Sequence, residues 1–281
     1  MPILFFLYSG EEMEEMVTRI TSASNRVIKQ LRELAHKKGR IRWNAFIIEG
    51  LKLVEEALMH QVSISFFVVA DSFLPEFEAM MDGMPGRMAV PVYLVPDDLL
   101  KRVSTTETPQ GVLAVAPLLN LEDQSLIAHG SRYVILEHLQ DPGNIGTIIR
   151  TADACGFDGV LLSSGCVDPH NPKVIRSAMG SVFHIPILSC ADIYDTIDSL
   201  KGRGIRIVAA HTRDSAYVWD LPLADRIALV IGNEGSGLSQ RMLDVTDIHA
   251  MIPMPGRAES LNAASAASMI LYESMRQRMA R

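Results

Sequence analysis

Three short segments concentrate the side chains able to handle a ligand. Asp141-Pro142-Gly143-Asn144-Ile145-Gly146 runs on to Arg150. Gly232-Asn233-Glu234-Gly235-Ser236-Gly237 follows an apolar run, and Ser260-Leu261-Asn262 opens onto Ala263-Ala264-Ser265-Ala266-Ala267-Ser268. Asn144, Arg150, Glu234, Ser260 and Asn262 supply uncharged donors, one planar cation and one carboxylate. They form neither a nucleophile–base pair nor a metal-ligand cluster, and such a set suits positioning and proton handling. Asn144 and Ser260 also read as helix N-caps, a structural role compatible with a place in a site.

The glycines narrow the chemistry further. Gly232 to Ser239 imitates a Gly-x-x-x-x-Gly-Lys-Ser/Thr phosphate loop but carries Leu238 at the lysine position, which removes the main side-chain partner of a triphosphate. No Gly-x-Gly-x-x-Gly fingerprint completes: Gly202-Arg203-Gly204 has Ile207 at the last position, and Gly235-Ser236-Gly237 has Gln240. Glycines of this kind let backbone approach a ligand and offer N–H and C=O groups to a flat base. Ile252-Pro253-Met254-Pro255-Gly256 supplies a stiff apolar wall beside them.

The elements that hold these segments read as alternating helix and strand. Apolar runs at 133–137, 159–162, 185–188, 205–210, 227–231 and 248–252 predict parallel strands covered on both faces. Helices are expected at 144–155, 172–179, 191–201, 239–243 and 261–279. All three polar segments then lie beyond strand carboxyl ends, where ligands sit in open α/β sheets. The first half reads as a smaller α/β unit, with strands near 45–48, 64–69, 92–95 and 111–116 and helices at 51–59 and 74–81. Ser24 or Asn25 is expected to cap a helix running to Lys38 and stopping at Gly39, with Val27, Leu31 and Leu34 turned inward. The expected division is an N-terminal extension over 1–15, with Met16 as an alternative start, a first domain over 16–117, a linker over 118–130 and a second domain over 131–281.

With 281 residues, 48% hydrophobic and 21% charged, the composition is that of a globular protein of two domains. No apolar run approaches the roughly 20 residues of a membrane helix and no signal peptide is apparent, so the expected location is cytoplasmic. Cys155, Cys166 and Cys190 lack zinc or disulfide spacing, and Asp168-Pro169-His170 and His184 lack metal spacing. No metal is expected. A net charge of −7 argues against indiscriminate nucleic-acid binding. Residues 19–42 depart from it, with Arg19, Arg26, Lys29, Arg32, Lys37, Lys38, Arg40 and Arg42 against the single acid Glu33. That stretch reads equally as a solvated helix face or as a contact for RNA phosphates.

Taken together, the three segments resemble the SpoU-TrmH family of RNA ribose methyltransferases, in the SPOUT superfamily. Its three motifs are matched in order by Asp141 to Arg150, by Gly232 to Leu238, and by Ile252-Pro253-Met254 through Ser260-Leu261-Asn262 to Tyr272-Glu273 and Arg276-Gln277. Phe46-Ile47-Ile48-Glu49-Gly50 and Thr108-Pro109-Gln110-Gly111-Val112 resemble the family's substrate-binding domain. Ala263-Ala264 departs from the usual valine-containing sequence.

The resemblance implies an α/β fold, a trefoil-knotted domain with a parallel sheet, preceded by a small α/β substrate-binding domain. It implies S-adenosylmethionine as methyl donor, a ribose 2′-hydroxyl as acceptor, ribosomal RNA as substrate and a homodimer formed through the knotted domain. Arg150 is the implied catalytic arginine, gripping the phosphate beside the target ribose, with Asn144, Glu234, Ser260 and Asn262 around it. Glu234 would orient Arg150 or the substrate. Gly232, Ile252, Leu261, Met254 and Thr212 are the implied cofactor residues. Arg26, Lys29, Arg40, Arg42, Lys173 and Arg176 are the candidate RNA contacts, with a solvated helix face the other reading for Lys173 and Arg176. The alternatives to ribosomal RNA methylation are a transfer RNA 2′-O-methyltransferase, a small-molecule methyltransferase and a non-catalytic RNA-binding assembly factor of the same fold.

Overall fold

The computed structural model describes residues 17–84, 90–122, 125, 128–212 and 214–280. The expected extension over 1–15 and the alternative start at Met16 lie outside the described residues. The chain divides into two compact units: residues up to Leu119 with His170–Arg176, and Asn120–Pro169 with Ser177 onward.

The first unit carries β1 (Val17–Arg19), α1 (Arg26–Leu34), α2 (Lys37–Trp43), β2 (Ala45–Glu49), α3 (Leu51–Met59), β3 (Phe66–Ala70), α4 (Leu74–Asp82), β4 (Val92–Val95), α5 (Asp97–Lys101) and β5 (Val112–Pro117). Its sheet runs β1-β4-β3-β5-β2. β4 is parallel to β1 and β3, whereas β5 is antiparallel to β3 and β2. β3, inside the sheet, and β2, at its edge, are both buried along their whole length, and apart from Glu49 both are apolar.

The single helix expected to end at Gly39 is instead two. Asn25 caps α1 through Val27 N–H, and Ile28, Leu31 and Leu34 are buried, with Val27 only half-buried. The chain breaks after Leu34, and Gly39 falls inside α2. A Cβ at Gly39 would lie 1.9 Å from the Glu33 carbonyl oxygen, so only glycine lets α2 fold back onto the end of α1. The Arg40 guanidinium locks that turn by donating to Leu34 O at 3.0 Å and Ala35 O at 3.1 Å, carbonyls a helix end leaves open. β1 and α5, of 3 and 5 residues, are too short to carry a periodic signal. His170 occupies a turn of this unit, 4% exposed, where its Nε2 accepts Leu119 N–H at 3.0 Å.

The second half of the chain continues with β6 (Arg132–Leu136), α6 (Pro142–Ala154), β7 (Gly159–Leu162), α7 (Pro172–Ala178), β8 (Ile187–Ser189), α8 (Ile193–Gly202), β9 (Arg206–Ala210), β10 (Ala216–Tyr217), β11 (Ile227–Ile231), α9 (Gln240–Val245), β12 (Ile248–Met251) and α10 (Ala263–Met279). The sheet of the second unit runs β10-β12-β9-β11-β6-β7-β8 with every pairing parallel. β11, Ile227-Ala228-Leu229-Val230-Ile231, is buried throughout, which explains why it reads as a continuous apolar run.

α10 buries Ala264, Ala267, Ile270, Leu271 and Ser274 along one stripe. The small residues of its first turns let it lie close to α6, where Thr151 and Ser268 hydroxyls meet at 3.2 Å. Its C-terminal half is tied down by Gln277, which donates to Leu221 O at 3.0 Å and accepts Leu223 N–H at 2.9 Å. The three cysteines are free thiols, and burial pushes the pKa of each thiol up.

Candidate active site

β6 and β11 are neighbours, so the segments leaving them emerge side by side at one edge of the sheet. Asp141 caps α6 by accepting Asn144 N–H at 2.8 Å, with Pro142 pre-set for the first turn. Asn262 caps α10, its Oδ1 accepting Ala264 N–H at 2.9 Å and Ser265 N–H at 3.1 Å. The caps are therefore Asp141 and Asn262, not Asn144 and Ser260. A cap must sit one residue before the first helical turn, and Asn144 lies inside that turn while Ser260 precedes Asn262 by two residues.

Released from capping, the Asn144 side chain joins the two helix starts. Its Nδ2 donates to Glu234 Oε1 at 3.0 Å and its Oδ1 accepts from Asn262 Nδ2 at 2.9 Å. Glu234 also accepts Asp141 N–H at 2.9 Å and Gln140 N–H at 3.2 Å. Partial burial pushes the Glu234 carboxyl up, but the Asn144 amide and the backbone N–H groups of Asp141, Glu234 and Gln140 outweigh it and hold the carboxyl below its usual range. Each donor and acceptor in this chain fixes the next, so both asparagine amides have a single orientation.

The glycine loop is shaped by its own backbone. Asn233 and Gly237 exchange N–H to C=O bonds at 3.0 and 2.9 Å. Asn233 Oδ1 accepts Gly235 N–H, and Asn233 Nδ2 donates to His138 O at 2.8 Å. A Cβ on Gly232 would lie 2.4 Å from Gly237 C and 2.5 Å from Leu238 N. Gly232 is thus required by closure of the loop on itself.

Beside this loop lies a cavity of about 380 Å³, within the size range of small-ligand pockets. Gly232, Ile252, Leu261, Met254 and Thr212, the five implied cofactor residues, all line it. His211, Leu238, Ala266 and Ile270 line it too. None of the four is among the sequence-predicted site residues: Ala266 and Ile270 are apolar helix positions, His211 adjoins a strand end, and Leu238 reads only as the last residue of the glycine segment. Ala263 faces the cavity and Ala264 is buried behind it, so the departure at this pair falls on the pocket wall and its packing.

The structure joins Asn144, Glu234 and Asn262 but leaves two candidates outside their network. Ser260 is exposed on the cavity rim and has no hydrogen bond among the described residues. Arg150 lies six residues along α6 from Asn144, about 9 Å along the axis and roughly 120° around it. Its side chain is exposed, with no hydrogen bond or ion pair among the described residues. Glu234 therefore does not orient Arg150; its oxygens are occupied by the donors of the 140–144 segment.

The candidate RNA contacts separate as well. Arg26, Lys29 and Arg42 are exposed, and the guanidinium groups of Arg26 and Arg42 each lie 5.6 Å from the Trp43 ring centre. Arg42 is also paired with Glu33 at 3.2 Å. Arg40 is 2% exposed and committed to two carbonyls, so it cannot reach phosphate. Lys173 is exposed, whereas half-buried Arg176 donates to Thr105 Oγ1 at 2.6 Å.

Fold and site define a class: a parallel α/β domain with a ligand cavity at the carboxyl ends of its strands and a hydrogen-bonded amide–carboxylate network nearby. The chain belongs to the SpoU rRNA Methylase family, whose model matches residues 131–272. Residues 25–114 match the MRM3-like substrate binding domain. The 23S rRNA (guanosine(2553)-2'-O)-methyltransferase RlmP of Bacillus subtilis is 37% identical over 254 residues, 90% of this chain and 98% of its own. The 23S rRNA (uridine(2479)-2'-O)-methyltransferase of Streptomyces viridochromogenes is 31% identical over 278 residues, 96% of each chain. The AdoMet-bound rRNA methyltransferase from Sinorhizobium meliloti superposes with a TM-score of 0.81 at 33% identity, covering 93% of this chain and 98% of that one.

Proposed function

We propose that the protein transfers the methyl group of S-adenosylmethionine to a ribose 2′-hydroxyl of ribosomal RNA. The observation that carries this reading is the cavity itself, which gathers the implied cofactor residues beside Glu234. Its donor set fits the cofactor. Backbone along Gly232–Leu238 offers peptide N–H and C=O groups, Ile231, Ile252, Leu261 and Ile270 give apolar walls, and no lysine or arginine is among the described lining residues to repel a sulfonium. The relatives named as 23S rRNA 2′-O-methyltransferases support the choice of RNA and of the ribose hydroxyl.

Gly232, Ile252, Met254, Leu261 and Thr212 would hold the cofactor, which when bound supplies an electrophilic methyl carbon on sulfur. The protein must then align the hydroxyl with that carbon and help its proton leave, terms supplied by proximity and electrostatics. Arg150 grips the phosphate beside the target ribose and lowers the hydroxyl's pKa as a fixed cation, its two-pronged guanidinium matching phosphate geometry. Its having no hydrogen bond or ion pair among the described residues supports that role. Asn144, Glu234 and Asn262 set the shape of the site between α6 and α10, and Ser260 offers at the cavity rim a hydroxyl with no hydrogen bond among the described residues.

The domain division is read the same way, residues 16–117 selecting RNA, 118–130 linking and 131–281 carrying transfer, except that His170–Arg176 group with the first unit. Arg26, Lys29, Arg42 and Lys173 are the phosphate contacts, and a ribosomal substrate places the enzyme in the cytoplasm. A trefoil knot is supported by the path after β12. That strand lies beside β9, yet the chain then returns past β9 and β11 to bring Asn262 onto Asn144 beyond β6. A homodimer is supported by α10, where Met269 and Tyr272, 48% and 57% exposed, lie on one solvent-facing stripe.

Calorimetric titration tests the reading. S-adenosylmethionine should bind the purified protein, and Ile252→Asp, which puts a charge on the apolar wall, should abolish binding. No heat from the wild-type protein would contradict it.

A further inference from the structure

Glu137 is a buried carboxylate with no part in the chemistry proposed above. It is the first residue past β6, its N–H continues the ladder to Ile231 O at 2.9 Å, and its side chain is enclosed in a residue only 2% exposed. A carboxylate withdrawn from water is tolerated only when donors replace the lost hydration. Ser239 provides two: its N–H reaches Oε2 at 2.9 Å and its hydroxyl reaches Oε1 at 2.6 Å. The same hydroxyl caps α9 by accepting Met242 N–H at 3.1 Å. Ser239 is therefore fixed through both its proton and its lone pair.

The position matters because Ser239 follows Leu238, which lines the cavity, and Leu238 N packs against Gly232. The near end of the loop is anchored by Asn233 on His138 O and by Glu234 on the 140–144 segment. Its far end is anchored by Glu137. Neither Glu137 nor Ser239 lines the cavity.

We infer that Glu137 is a positioning residue that, through Ser239, holds the Leu238 end of the glycine loop in the shape that binds S-adenosylmethionine. This rests on the reading of the cavity given under Proposed function. Glutamine should substitute for it: its Oε1 can accept Ser239 N–H while its Nε2 donates to the Ser239 hydroxyl, which still caps α9.

The test measures S-adenosylmethionine affinity by calorimetry, and kcat and both KM values, on full-length wild type, Glu137→Ala, Glu137→Gln and Ser239→Ala. Loss of these part-buried, charge-assisted hydrogen bonds predicts that Glu137→Ala and Ser239→Ala weaken cofactor binding about tenfold, with kcat and the KM for RNA changed less than about twofold. Glu137→Gln should stay within about threefold of wild type. Ser239→Ala, at the surface, serves if Glu137→Ala does not fold. Unchanged cofactor affinity in Ser239→Ala, or equal losses of cofactor and RNA affinity, would overturn the inference. Failure of the wild-type protein to bind S-adenosylmethionine would instead strike the reading on which it rests.

Discussion

Asn262 Nδ2 donates to Asn144 Oδ1 at 2.9 Å, joining the N-terminal residue of the last helix to the first turn of a helix 118 residues earlier in the chain. Asn262 therefore does two things at once: Oδ1 caps α10 and Nδ2 orients Asn144 toward Glu234. The two jobs separate by substitution. Asn262→Ser keeps a capping oxygen but removes the donor, so it should leave stability within about 0.5 kcal/mol of wild type while cutting methyl transfer. Asn262→Ala should lose about 1 kcal/mol as well. Thermal melts beside turnover assays check both; Asn262→Ser with full activity would reduce Asn262 to a cap.

Asn144→Asp should be worse than Asn144→Ala. It replaces the amide donor with an oxygen 3.0 Å from Glu234 Oε1, so two carboxylates share a site that needs one donor. The expected cost is about 1–3 kcal/mol of stability together with loss of turnover, read by denaturant unfolding and methyl transfer. Equal stability of the two variants would mean that the Asn144–Glu234 bond carries no weight.

The lowered pKa of Glu234 makes a signed prediction. A carboxyl whose folded-state pKa is depressed contributes stability that is fully present above its unfolded value, roughly 4.3, and is lost as pH falls through the folded value. The stability difference between wild type and Glu234→Gln should accordingly be flat from neutral pH down to about pH 5 and shrink below that. Denaturant melts between about pH 3 and pH 7 measure it. A difference that grows on acidification has the wrong sign.

Gly232 and Gly235 form a matched pair. At Gly232 a Cβ meets backbone at 2.4 Å, so Gly232→Ala must open the loop and should remove cofactor binding. At Gly235 the nearest atom is Asn233 Oδ1 at 3.6 Å, ordinary contact, and Gly235→Ala should bind the cofactor like wild type. Calorimetry on both variants checks the pair, and equal affinities would show that loop closure does not shape the cavity.

Arg40 and Arg42 should behave oppositely although only one residue separates them. Arg40→Ala leaves the Leu34 and Ala35 carbonyls open and should cost about 1–3 kcal/mol without altering the salt dependence of RNA binding. Arg42→Ala should leave stability nearly unchanged and lower the slope of log affinity against log salt by about one. Filter binding across a salt series, paired with melts, separates them.

Much of this architecture is legible in the chain because the central strands of the second sheet, β6, β7, β9 and β11, are largely buried and read as apolar runs. The glycine loop is legible for a similar reason, since Gly232 to Gly237 follows such a run with no lysine to make it a phosphate loop. Capping is not: Asp141 and Asn144 are both good capping types three residues apart, and only the true start of α6 decides between them. Arg40 illustrates a different limit. A guanidinium among eight cations looks like a phosphate ligand until the turn between α1 and α2 places it over two open carbonyls. Glu137 carries no motif at all, because its partner Ser239 lies 102 residues away and meets it only through the pairing of β6 with β11.

The proposal that stands or falls first is that the protein methylates a ribose hydroxyl, with Arg150 of α6 gripping the neighbouring phosphate. The most direct measurement incubates purified protein with ribosomal RNA and methyl-labelled S-adenosylmethionine, digests the RNA to nucleosides and locates the label by mass spectrometry. Wild-type protein should place the label on a 2′-O-methyl nucleoside and Arg150→Ala, with a melting curve matching wild type, should place none. Label on a base, or undiminished ribose methylation by Arg150→Ala, would contradict the proposal.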